Sequence, residues 1–165
     1  MLEALRAIVG DGNVLDATEV AKRSAGVWRP DSLKAAALVR PKTTEEVSQV
    51  MRWCHAQNVS VVTQGGLTGL VHGSDAAADQ VILSLEHMRE IEEINPRQRT
   101  ATVQAGVVLQ VLQEAADVHG LIFPLDLGAR GSATIGGNAA TNAGGNRVIR
   151  YGMTRDMVLG LEVVL

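Results

Sequence analysis

The chain has 165 residues, 46% of them hydrophobic and 20% charged, with a net charge of −3; this fits one compact globular domain or two closely packed lobes and excludes a disordered chain. An acidic balance with only 2% aromatic residues argues against a nucleic-acid partner, because there is neither a basic face for phosphates nor an aromatic platform for bases. One cysteine, Cys54, leaves no internal disulfide and no cysteine-rich metal site.

In chain order, the start "MLEALRAIVGDG" is too short and too charged for a secretory signal. Leu2, Leu5, Ile8 and Val9 fall on one helical face, and Asp11-Gly12 stops that helix. Residues 13–34 carry no single period. "AAALVRP" reads as a short strand closed by Pro41. In "TTEEVSQVMRWCHAQN", Thr43 and Glu46 are spaced as a capping box, and Val47, Val50, Met51 and Cys54 recur at helical intervals. Cys54 is thereby expected to be a buried helix residue. "VSVVT" is β-branched and apolar, a buried strand, and "QVILSL" is another. "IEEINPRQRTATVQAG" predicts two strands around a turn at Asn95-Pro96. Val108 to His119 reads as a helix ended by Gly120. "LIFP" and the closing "MVLGLEVVL" both read as strands. The last has no turn or cap after it, so the natural protein is expected to continue. No apolar run approaches the roughly 20 residues that span a bilayer, which gives an expectation of no transmembrane segment and a cytoplasmic location. The order of elements favours an α+β fold over a doubly wound parallel sheet.

Two glycine-rich stretches carry the chemistry. The first, "TQGGLTGLVHGS" at 63–74, leaves a buried strand, where folds present ligand loops. Its glycines permit positive φ and close approach to the backbone. Successive amides bent in this way hold an anion without a lysine, and Thr68 and Ser74 add hydroxyls. A phosphate or pyrophosphate is the natural guest, with a plain glycine-rich surface turn as the alternative. The stretch has no P-loop lysine and neither the spacing nor the helix of a G-x-G-x-x-G fingerprint. The second stretch is "LGARGSATIGGNAATNAGGN" at 127–146. Asn138 and Asn142 share a face if it is helical, offering amide donors and acceptors to a heteroatom-rich ring or a polyol. Gly136, Gly137, Gly144 and Gly145 leave room for a flat ring against main chain. Two such loops predict two walls of one elongated cofactor site.

From "VRPKTTEEV" through "QGGLTG", "VILSLEHMREI", "TATVQAGV" and "FPLDLGARGSATIGGNAATNAGGNRVIRYGMTRDMVLGLEVVL", nearly the whole chain resembles the FAD-binding domain of the vanillyl-alcohol oxidase and p-cresol methylhydroxylase flavoproteins. It is most similar to their D-lactate, glycolate and D-2-hydroxyglutarate dehydrogenase branch, and "DLGARGSATIGGNAATNAGG" is nearest the hydroxyglutarate type. The resemblance implies a two-lobed FAD-binding domain, with residues 1–95 as the first lobe and 96–165 as an incomplete second lobe. The C-terminal end is then truncated and a substrate-binding cap domain is missing. It also implies that Gln64, Gly65, Gly66, Leu67, Thr68, Gly69 and Leu70 wrap the pyrophosphate. Pro124, Asp126, Leu127, Gly128 and Ser132 then line the middle of the cofactor. Gly137, Asn138, Thr141, Asn142 and Gly145 approach the ribityl chain and ring. Covalent members carry a histidine directly after the paired glycines; here that residue is Leu67, so the FAD is expected to be noncovalent. The implied reaction oxidises a small 2-hydroxy acid, with hydride passing to flavin while a base takes the hydroxyl proton. The electron acceptor is unassigned.

In the related enzymes the catalytic histidine, substrate-binding basic residues and any metal ligands lie in the cap, so no catalytic or metal-binding residue is assigned here. His55 and His119 sit on expected helices and read as surface residues, His87 follows a strand, and His72 reads as a loop residue. Arg130, Arg147, Arg150 and Arg155 crowd the second loop, where they either offset ligand charge or serve the surface. Tyr151 is expected to pack near the cofactor region. Two alternatives stay open: the same fold with other FAD chemistry, as in alkylglycerone-phosphate synthase or sugar oxidases, and a non-catalytic FAD-binding module.

Overall fold

The computed structural model describes all 165 residues and divides them into two compact units, residues 1–87 with 163–165 and residues 88–162. No helix is long and apolar enough to cross a membrane.

The first unit begins with helix α1 (Leu2–Val9), which buries Leu5 and Val9 one turn apart and ends at Gly10, φ 86°. Strand β1 (Val14–Asp16) runs into the short helix α2 (Ala17–Val20). Asp16 caps that helix by accepting the amides of Thr18 and Glu19 at 2.9 Å, and Glu19 accepts the Asp16 amide in return at 3.0 Å. The spacing of "DATE" is a capping-box signal that the mixed pattern around it obscures. A hairpin follows, β2 (Ser24–Gly26) and β3 (Arg29–Ser32), and then β4 (Ala37–Val39). Helix α3 (Thr44–Ala56) starts on Thr43, whose Oγ1 accepts the Glu46 amide at 3.2 Å. The expected box is completed one residue early, because the Glu46 carboxylate accepts the Lys42 amide at 2.7 Å.

The four-stranded sheet has the order β1-β4-β6-β5, where β5 is Val61–Gln64 and β6 is Val81–Ser84. β1 is antiparallel to β4, whereas β4, β6 and β5 are parallel, with Leu38, Ile82 and Val62 in register. Alternation along the strands splits their side chains between two cores. Ala37, Val39, Val81 and Leu83 pack with Leu5, Val9, Val50 and Cys54 from α1 and α3. Leu38 and Ile82 face the other way, against Val20, Ala25, Leu33 and Ala35. β4 and β6 are therefore covered on both faces, which is why they read as unbroken apolar runs. Burial pushes the Cys54 thiol up, so it stays protonated and inert.

The second unit opens with the hairpin β7 (Ile91–Asn95) and β8 (Thr100–Val103), whose turn is closed by the Gln98 amide on Asn95 Oδ1 at 3.1 Å. Helix α4 (Leu109–Asp117) lays Leu109 against Leu125 and Ala133. Helix α5 (Ile135–Thr141), helix α6 (Val148–Tyr151) and a 3₁₀ turn at Thr154–Met157 complete it. Two expected strands are absent. At "LIFP" the side chain of Gln113 donates to the carbonyls of Phe123 (3.3 Å) and Leu125 (2.6 Å), taking acceptors that a neighbouring strand would use. In "MVLGLEVVL", Met157 ends the 3₁₀ turn and residues 158–165 form neither helix nor strand, with Leu159, Leu161 and Leu165 exposed. An apolar run needs a partner strand to become one, and none pairs with it.

Candidate functional site

The first loop leaves the carboxyl end of β5, the position from which open α/β sheets present ligands. Buried Gln64 closes its base, donating Nε2 to the Ser74 carbonyl at 2.7 Å. Gly65, Gly66, Leu67 and Thr68 are half-buried, and Gly69 and Leu70 are exposed. From Gly65 to Ser74 no backbone amide donates a hydrogen bond to the rest of the chain. A run of unused donors at a strand end is a strong anion receptor. The left-handed residues here are Leu67 (φ 54°) and His72 (φ 60°) rather than the glycines, which permit positive φ but do not use it. The physical reason lies in their partners: Leu67 is held through its carbonyl, which accepts the amide of the distant Val27 at 3.1 Å. His72 is held through its ring, with Nδ1 2.9 Å from Asp75.

The second loop belongs to the other unit. Thr134 caps α5 by accepting the Gly137 amide, and Thr141 Oγ1 donates to the Gly137 carbonyl at 2.9 Å. Asn138 lies on this helix and is 4% exposed, and its Nδ2 has no hydrogen-bond partner. A buried amide donor left alone costs about 1–3 kcal/mol, so this position calls for an acceptor from a ligand. Asn142 does not continue the helix beside it. It sits at the left-handed C-cap (φ 49°), and its Oδ1 accepts the Arg155 amide at 3.0 Å.

The glycines of this loop leave room chiefly for the protein itself. A Cβ on Gly136 would stand 2.7 Å from Ala105 Cβ, one on Gly144 2.6 Å from Met153 Sδ, and one on Gly145 2.1 Å from the Asp126 carbonyl oxygen. Asp126 is half-buried, with Arg130 and Arg147 at 3.6 and 3.9 Å. Leu127 packs on the Leu109 cluster, Pro124 and Ser132 are half-buried, and Gly128 is exposed with nothing within 4 Å of a Cβ. The arginines thus divide. Arg155 closes α5, donating to the carbonyls of Ala139 (2.9 Å) and Ala140 (2.8 Å), and Arg150 lies 5.1 Å from the Tyr151 ring centroid. The reading of the sequence missed Arg29 and Asp75, which pair across 46 residues and carry no local signal.

Each unit thus carries one feature suited to a cofactor: undonated amides in the glycine loop of the first, and the orphaned Asn138 amide in the glycine-asparagine helix of the second. The chain belongs to the FAD-binding domain family, which it matches over residues 35–165. It is similar to the D-2-hydroxyglutarate dehydrogenase of Xanthomonas citri pv. viticola, 51% identical over 137 residues, covering 83% of this chain and 28% of that protein. The mitochondrial D-2-hydroxyglutarate dehydrogenase of Bos taurus is 44% identical over 164 residues, covering 99% of this chain and 30% of that protein. The chain thus spans less than a third of these relatives. Among solved structures, an alkyldihydroxyacetonephosphate synthase superposes with TM-score 0.83 at 21% identity, covering 96% of this chain and 31% of that one. p-Cresol methylhydroxylase with substrate bound superposes with TM-score 0.66 at 23% identity, covering 87% and 29%. These two likenesses show the fold. The α+β architecture of the p-cresol methylhydroxylase type and FAD as cofactor therefore stand as the sequence indicated.

Proposed function

We propose that this chain is the FAD-binding part of a flavin-dependent dehydrogenase acting on a D-2-hydroxy acid, D-2-hydroxyglutarate foremost. The observation that carries the reading is the run of undonated amides from Gly65 to Ser74. The similarity to proteins named D-2-hydroxyglutarate dehydrogenase supports the substrate.

Bound FAD supplies the two-electron acceptor that oxidation of a hydroxy acid needs. The residues of this chain bind and orient it. Amides of the 64–70 segment receive the pyrophosphate, and no carboxylate lies between Gly65 and Ser74 to repel it. Asn138 Nδ2 donates to the ring or ribityl oxygens, relieving its orphaned state. Pro124, Leu127, Gly128 and Ser132 line the cofactor, with Gly137, Thr141, Asn142 and Gly145 shaping the wall around Asn138. Leu67 offers no nucleophile, so the cofactor is held noncovalently. The groups that bind the hydroxy acid and take its proton belong to a cap domain outside these residues, as does the contact with the electron acceptor. A cytoplasmic location is part of the proposal; the Bos taurus relative is named mitochondrial, and cell fractionation decides between the two.

The test uses the full-length protein. It is expected to carry a flavin absorbance spectrum that bleaches on anaerobic addition of D-2-hydroxyglutarate, with D-lactate and glycolate as comparisons. A folded protein that neither carries FAD nor takes it up refutes the cofactor assignment. A loaded protein bleached by none of the three refutes the hydroxy-acid assignment.

A further inference from the structure

The loop that would receive the diphosphate is not self-supporting. Leu67 and His72 are both left-handed, at φ 54° and 60°, and each such non-glycine residue costs about 1–2 kcal/mol. With its amides unpaired, the loop's own bonds are few: Gln64 to the Ser74 carbonyl, and the Asp75 amide to the His72 carbonyl at 3.1 Å. Left alone it would relax to other shapes and lose the aligned donors.

The hairpin β2–β3 grips it at both ends. At one end Val27, in the hairpin turn, donates its amide to the carbonyl of Leu67 at 3.1 Å. The fit is close there, since a Cβ on Gly26 would stand 3.3 Å from that same oxygen. At the other end the Arg29 guanidinium reaches Asp75 with Nη1 and Asp31 with Nη2 and Nε. The second oxygen of Asp75 takes the ring of His72. Arg29 thus restrains His72 through one shared carboxylate, while Val27 restrains Leu67 directly. Arg29 also offsets the charge of Asp75, the carboxylate at the loop's edge. The Arg29 guanidinium and then the His72 ring hold the Asp75 carboxyl below its usual range, so the pair stays ionised through neutral pH.

We propose that the β2–β3 hairpin is a latch that holds the Gly65–Ser74 loop in its anion-receiving form, with Arg29 and Asp75 as positioning residues for the FAD diphosphate. This rests on the FAD reading above. Neither side chain needs to touch the cofactor; each acts through the left-handed residues.

The experiment titrates FAD into the full-length apoprotein, following quenching of flavin fluorescence, for wild type, Arg29→Gln, Asp75→Asn, the double variant and Asp31→Asn. Thermolysin cleavage of each apoprotein within 67–71 reports loop order independently of flavin. If the receptive share of the loop falls to about a tenth, apparent Kd for FAD rises about tenfold in Arg29→Gln and in Asp75→Asn. The double variant is no weaker than either single one, because one latch is broken once. Asp31→Asn leaves the Asp75 arm in place and stays within about twofold of wild type, as an exposed pair should. Cleavage within 67–71 speeds up in the weak binders. Arg29→Lys, which keeps a cation but not the fork, falls between wild type and Arg29→Gln and serves if the larger change prevents folding. Wild-type affinity in Arg29→Gln and Asp75→Asn overturns the latch and leaves the FAD reading standing. Additive losses, or weaker binding without faster cleavage, also overturn it. A folded wild type that binds no FAD overturns both.

Discussion

Alanine at Gly145 confronts a methyl group with main chain alone. Its Cβ would lie 2.1 Å from the Asp126 carbonyl oxygen, 2.7 Å from the carbonyl carbon and 3.0 Å from the Asp126 nitrogen. All three are backbone atoms, so no rotamer change relieves the overlap, and the two segments must separate by about 1 Å or more to regain ordinary contact. That movement pulls on the Asn146 amide, which donates to the same Asp126 oxygen at 3.1 Å, and on the Val148 amide, which donates to Gly145 at 3.2 Å. Overpacking costs about 1–3 kcal/mol, and a lost backbone hydrogen bond adds about 1 kcal/mol. In a protein of this size each kcal/mol lowers Tm by about 2–4 °C, so Gly145→Ala is expected to melt about 5–15 °C lower. Gly128→Ala is the matched control. Nothing lies within 4 Å of its Cβ, so its stability should hold or rise by at most about 1 kcal/mol of unfolded-state entropy, and its Tm by about 2–4 °C at most. Circular-dichroism melts of the two apoproteins decide the matter. Equal Tm values would refute the close approach of residues 126 and 145, and with it the claim that Gly145 is glycine because of the fold.

Asn138→Leu removes the orphaned donor, so apoprotein stability should hold or rise by about 1 kcal/mol while FAD binding weakens; tighter or unchanged binding refutes the role of Nδ2. Arg155→Ala strips the caps from Ala139 and Ala140 and should cost about 1–2 kcal/mol in urea unfolding, with lysine restoring part of it. Glu86 is held by a bidentate Arg23 (3.0 and 2.5 Å) and by Arg40 at 3.4 Å. Burial pushes its carboxyl up, but the two guanidiniums outweigh burial and leave it below the usual range. Its folded pKa is below its unfolded one. The stabilisation is therefore full above the unfolded value of about 4.3 and is lost as pH falls through the folded value. Glu86→Gln should cost about 1–3 kcal/mol at neutral pH and flatten that acid limb in pH-resolved urea titrations; an unchanged slope refutes the assignment.

The elements legible in the sequence are those whose signal is short-range. Leu5 and Val9 one turn apart, Thr43 before an apolar period, and the unbroken "VILS" each state their structure within a few residues. The candidate site was legible as composition: glycine in both stretches, asparagine in the second, and no carboxylate in either. Its mechanics were not. Which residues turn left-handed, which glycine abuts Asp126, and which arginine caps a helix all depend on neighbours beyond that range. Asn142 and Asn138 look equivalent four residues apart, yet one is spent on the Arg155 amide and the other is left with a free donor.

The sequence by itself determined the α+β class, helices α1, α3 and α4, strands β4 to β8, and membership of the FAD-binding family, because periodicity and a dense glycine-asparagine pattern are properties of adjacent residues. Only the tertiary structure decided that "LIFP" and "MVLGLEVVL" are not paired as strands within these 165 residues, since a strand exists only when another backbone takes its hydrogen bonds. It likewise decided the pairing of Arg29 with Asp75 across 46 residues. Contacts of that span are chosen by how the chain packs, and no local propensity encodes them.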